Sequence, residues 1–193
     1  MDKAFHGIRI GANVQSIQKL GLKPIDRSGA GAAKITKWVL KTGNEMSVTY
    51  DSERDKILYM EVDWNQRGSS TKVGITRMTF GKTTLEDIRQ LYGSNGFSYA
   101  KHMMFQVSEG IITFNAFELA QAPSIIVVFI TKLSDESRKE IAALPEEQRA
   151  VAAIPQHFKL DAVAVADESY LDELWGKEKL YDPKSLPIKL SVN

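Results

Sequence analysis

The chain has 193 residues, 43% hydrophobic and 25% charged, with a formal net charge of +1 and no cysteine. That is a globular balance, long enough for one large core or two small ones, and it excludes a disordered chain and any global pull toward nucleic acid or anionic membrane. The missing thiol excludes structural disulfides, Cys-ligated zinc, iron–sulfur clusters, a thiol nucleophile and a lipidated cysteine within the chain.

A short extended segment is expected over 5–10. Val14, Ile17 and Leu20 then recur at three-residue spacing, with Asn13 able to cap and Gly21 placed to stop a helix. Strands are expected over 34–40, 45–50 and 56–64, joined by turn residues around Gly43 and over 51–55. Leu58, Met60, Val62 and Trp64 alternate with Tyr59, Glu61 and Asp63, the period of a half-buried strand. Lys34, Lys37 and Lys41 read as a solvated strand face.

The second half repeats this order. After an extended segment over 74–80, Leu85, Ile88 and Leu91 form a helical face, with Thr83 and Glu86 in a capping-box pattern and Gly93 at the close. Strands follow over 98–107, 111–119 and 124–133. The pairs Val14/Leu85, Ile17/Ile88 and Leu20/Leu91 share an offset of 71 residues. The pattern predicts an internal duplication: a first repeat over 1–71, a second over 72–133, and a C-terminal extension over 134–193. In the extension, helices are expected over 134–144, capped by Ser134, over 146–153 and over 168–180, with Leu171, Leu174 and Trp175 inward. A weakly alternating strand is expected over 158–165, and an extended tail at Ile188-Lys189-Leu190. The fold class is therefore α+β: two tandem helix-plus-antiparallel-sheet repeats forming one curved sheet with helices on one side, plus a mainly helical extension.

The two Gly-bounded segments, Gly11 to Gly21 and Gly81 to Gly93, each ahead of three strands, resemble the superfamily of the β-lactamase inhibitor protein and the BamE (SmpA/OmlA)-like lipoproteins. The resemblance covers residues 5–133 and implies tandem units on one long sheet. Two features depart from it: the inhibitor protein's cysteines are missing, and the last 60 residues have no counterpart. No inhibitor contact residue carries over.

Chemistry-bearing motifs are sparse. His6, His102 and His157 stand in separate segments, without the His-x-x-x-His spacing of a helical zinc site. His102 is read as a solvent-side or groove-side strand residue. The carboxylate pairs 135/136, 146/147 and 172/173 fit helix starts and solvated faces. Asp51, Glu53 and Asp55 lack a calcium-loop pattern. Gly29-Ala30-Gly31 lacks the phosphate-loop pattern, and no Gly-x-Ser-x-Gly elbow occurs. No catalytic residue, metal or cofactor is expected, and no nucleic-acid partner.

No apolar run approaches the ~20 residues of a membrane-spanning helix, and the first residues show no signal-peptide core. The chain is expected to be cytoplasmic, or periplasmic or secreted after signal removal, with the exported reading favoured. The strand over 124–130 is apolar on both faces, which an antiparallel sheet covered on one side does not require. Either the extension covers the second face, with Trp175 and Phe158 packing there, or that face receives a partner. The functional expectation is a non-enzymatic binding protein that engages a protein partner through the sheet face, at Tyr59, Glu61, Asp63, Phe117 and Phe129. The alternatives are a small-molecule or lipid binder with a pocket between sheet and extension, and an uncharacterised hydrolase. Oligomeric state is not legible.

Overall fold

The computed structural model describes residues 7–65, 73, 77–108, 110–145 and 154–190. His6 and the helix expected over 146–153 lie outside the described residues. The strands are β1 (Asp26–Ser28), β2 (Ala33–Val39), β3 (Glu45–Asp51), β4 (Lys56–Asp63), β5 (Phe97–Tyr99), β6 (Met104–Val107), β7 (Gly110–Leu119), β8 (Ala122–Ser134), β9 (Lys159–Asp167) and β10 (Lys179–Tyr181). A 3-10 helix spans Val14–Leu20, and the α-helices are α1 (Leu85–Tyr92), α2 (Asp135–Ala142), α3 (Ile154–His157) and α4 (Glu168–Trp175).

All the strands belong to one antiparallel sheet, in the order β1-β2-β3-β4-β9-β8-β7-β5-β10, with β6 also beside β7. This overturns the expected pair of tandem helix-plus-sheet repeats with a mainly helical extension. A strand from the last third of the chain, β9, sits at the centre of the sheet, between β4 and β8. Its composition explains the place. Val163 and Val165 point to one face and Ala162, Ala164 and Ala166 to the other, and all five are buried. A strand apolar on both sides is stable only where both sides are covered.

Nor do helices lie on one side only. The 3-10 helix, α1 and the tail at Ile188 and Leu190 cover the face carrying Met60, Val62, Phe117, Val127 and Phe129. The opposite face carries Ile126, Val128, Ile130 and the β9 alanines, and Leu171 and Trp175 of α4 pack against it. The small alanine side chains leave room for the helix.

The two helix motifs also differ in kind. The first is a 3-10 helix, capped by Asn13 and closed by Gly21 at φ 62°, whose three residues per turn line Val14, Ile17 and Leu20 along one face. The second is an α-helix. At 100° per residue, position i+6 swings ~120° away from position i. Leu91 is accordingly 55% exposed, and Tyr92 packs on Phe117 and Phe129 instead, with ring centroids 6.1 and 5.7 Å apart. The capping box is formed by Thr84 and Asp87, one residue beyond the expected pair.

The strand expected over 98–107 is broken. Residues 100–103 turn, with the His102 amide donating to the Tyr99 carbonyl at 2.8 Å and the Ala100 amide to the Glu178 carbonyl at 3.0 Å. The helix expected over 168–180 stops at Trp175, and Lys179–Tyr181 form the edge strand β10 against β5.

Candidate binding surface

α4 crosses the sheet. Near its start Tyr170 meets Tyr59 of β4, with ring centroids 6.2 Å apart, and at its end Trp175 meets Phe114 of β7 at 5.6 Å. The helix is pinned from both sides. Asp167 caps it by accepting from the Ser169 and Tyr170 amides. Lys179 pairs with Glu168 and lies 3.8 Å from Asp172, whose carboxylate also accepts from the Tyr99 hydroxyl at 3.2 Å.

The five residues singled out in the sequence fall on opposite sides of the sheet. Tyr59, Glu61 and Asp63 share the α4 face, where the Tyr59 hydroxyl donates to Glu61. Burial, reinforced by Glu61, holds the Tyr59 phenol well above its ordinary range. Burial also pushes the Asp63 carboxyl up to about 8, with Glu61 next in effect, then Asp161 and Glu45. Glu45 is its direct cross-strand neighbour. Gathering these carboxylates leaves Asp63 holding its proton above the usual carboxylate range. Phe117 and Phe129 face the other way and are fully buried, their centroids 5.5 Å apart. Trp175 takes the covering role expected of it, whereas Phe158 packs elsewhere, with Leu85 and Leu133.

Beyond the end of α4 the same face opens to solvent. His102 stacks on Trp175 at 4.2 Å with the rings 9° apart, and meets Phe114 and Phe105 edge-on at 4.3 and 4.6 Å. Burial lowers the affinity of its imidazole for a proton. Met103, Met104 and Phe105 are 45%, 57% and 41% exposed. Such a patch of methionine and aromatic side chains has the composition of protein-binding surfaces.

The patch adjoins an open strand edge. β6 pairs with β7 on one side, in a register that matches Phe105 to Ile112 and Val107 to Gly110. The Met103 carbonyl accepts from the Phe114 amide at 3.1 Å. In an antiparallel ladder alternate residues bond inward, so the N–H and C=O groups of Met104 and Gln106 turn away from β7. Among the described residues no strand covers that edge. Its sequence, Met104-Phe105-Gln106-Val107, holds none of the lysines or prolines that ordinarily blunt an edge strand. The signal is present in the sequence as an uncharged methionine–phenylalanine run, obscured by reading 98–107 as one continuous strand.

Among the described residues, no group of three histidine or carboxylate side chains has the geometry of a metal site, and no helix is long and apolar enough to cross a membrane. No protein-family model matches the chain, and no curated protein does. A solved structure, an extracellular protein containing an SCP domain from Bacillus anthracis str. Ames, aligns with 92% of this chain at a TM-score of 0.45 and 10% identity. The aligned chain spans half of that structure's length. A likeness this distant carries no functional argument.

Proposed function

We propose that this protein binds another polypeptide, which adds an extended segment to the open edge of β6 and places an apolar side chain on the patch of His102, Phe105 and Phe114. The observation that carries this reading is the coincidence of two features: an uncharged edge with outward-turned main-chain groups at Met104 and Gln106, and exposed Met103, Met104 and Phe105 beside it. Main-chain bonds along an added strand supply affinity, and pockets for alternate side chains supply selectivity. The aromatic group is held rigid by stacking on Trp175, so little side-chain freedom is lost on binding. In this reading the sheet face is used at the β6–β7 end, with α4 separating it from Tyr59, Glu61 and Asp63.

The test is selection from a displayed library of random peptides, followed by comparison of wild type with Gln106→Pro. Proline at position 106 removes an outward amide and leaves the inward bonds of Phe105 and Val107 in place. Selected peptides should bind wild type and lose at least about tenfold in affinity on Gln106→Pro, equivalent to one net hydrogen bond of about 1.4 kcal/mol. Peptides that bind both proteins equally would contradict the edge-strand mode.

A further inference from the structure

A cavity of about 360 Å³ lies between the 3-10 helix and the first three strands. We infer that it is a binding site for a small monocarboxylic acid with an apolar body. The sheet sets a graded row of side chains beneath it. Arg27 of β1, Thr36 of β2 and Val48 of β3 are successive cross-strand partners, and the row runs on to Met60 of β4. Residues paired in this way share a face of the sheet. Here it is the face beneath the 3-10 helix, since Val48, Met60 and Ile17 belong to one core. Charge at the sheet edge gives way to a hydroxyl and then to hydrocarbon.

Thr36 carries the inference. It borders the cavity and is only 6% exposed, and among the described residues its hydroxyl has no hydrogen-bond partner. A buried hydroxyl left unbonded is costly, and valine would have the same shape without that cost. Arg27 borders the same cavity, and its guanidinium makes no ion pair among the described residues.

The cavity lining contains no acid to satisfy either group. The acids of the adjoining turn are engaged elsewhere. Asp55 accepts from Asn13 and the Val14 amide, and Asp51 from the Glu53 and Arg54 amides. Asp26 precedes Arg27 in β1 and so points to the other face. One guanidinium and one hydroxyl match the two oxygens of a carboxylate. The rest of the lining suits an apolar body. Val14, Ile17 and Leu22 wall one side and the rings of Trp38 and Tyr50 the other, with the uncharged Gln15 and Gln18 at the exposed rim. Apolar walls with a few convergent polar groups are the ordinary make-up of a small-molecule site, and the volume lies near the lower end of roughly 300–1,000 Å³, so the ligand is small.

This site shares no residue with the β6 surface, and either assignment can fail alone. The experiment titrates the intact protein with phenylacetate, phenylacetamide and acetate, following the Trp38 indole N–H resonance, assigned with Trp38→Phe. Phenylacetate should shift that resonance saturably. The amide, which lacks the charge, and acetate, which lacks the body, should each bind at least about tenfold more weakly. Arg27→Gln should weaken phenylacetate binding about tenfold, and Arg27 is exposed, so this variant leaves the core intact, which a thermal melt checks. Thr36→Val should also weaken binding without lowering the thermal midpoint of the free protein, because its hydroxyl has no protein bond to lose. An unmoved Trp38 resonance, equal binding of phenylacetamide, or equal binding by Arg27→Gln or Thr36→Val would overturn the inference.

Discussion

Replacing Asp63 with asparagine isolates the proton held in the Glu45, Glu61, Asp63 and Asp161 cluster. In the folded chain the Asp63 carboxyl titrates near 8, against 3.8 for its ordinary value. Below the ordinary value both states are protonated and the cluster costs nothing. As pH rises toward 8 the unfolded chain has released this proton and the folded chain retains it, so stability falls with pH across that window and stays low above it. A whole proton would change stability by about 1.4 kcal/mol per pH unit, or about 4 kcal/mol from pH 5 to pH 8. Asp63 shares the proton with Glu61 and is only half-buried, so about 1–2 kcal/mol is expected. Asparagine keeps the shape and is never charged. Urea unfolding at about pH 5 and about pH 8 should show wild type losing this amount and Asp63→Asn losing little of it, making the variant the more stable protein at the higher pH. An unchanged pH slope in the variant would refute the reasoning.

Phe129→Ala should cost about 3–5 kcal/mol, because the side chain is fully buried against Tyr92 and Phe117, whereas Phe105→Ala should cost under about 1 kcal/mol. Chemical denaturation of the two variants checks the contrast. Gly81→Ala should destabilise by about 2 kcal/mol or more, since position 81 has φ +70° and its Cβ would strike the Trp64 ring. A lowered thermal midpoint and an altered Trp64 environment in the near-ultraviolet spectrum would report it. For His102, the folded state takes up a proton less readily than the unfolded chain, so stability should decline as pH falls below about 6.5. His102→Gln should flatten that decline, measured as the pH dependence of the thermal midpoint.

The strands were largely legible because their alternation is local. β2, β3, β4, β7 and β8 lie where the patterns of 34–40, 45–50, 56–64, 111–119 and 124–133 place them. Their order was not legible. β9 pairs with β4 across about a hundred residues, and its Ala–Val alternation is apolar at both phases, so it shows no polarity period. The apolar second face of β8 was the one local sign that something covers it. The duplication failed on period: one spacing of three residues suits a 3-10 helix, and the α-helix that shares it leaves Leu91 in solvent. Phe117 and Phe129 were placed with Tyr59 because faces cannot be matched between strands until pairing is known. The β6 edge was missed because the turn at 100–103 depends on the distant Glu178 carbonyl.

Amide hydrogen exchange at Met104 and Gln106, measured with and without a selected peptide, tests the central claim most directly. Both amides face outward at an open edge and should exchange readily in the free protein. The account predicts that the bound peptide slows exchange at both positions, with Phe105 and Val107, already bonded to β7, little changed. Binding that leaves Met104 and Gln106 exchanging as fast as before would contradict it.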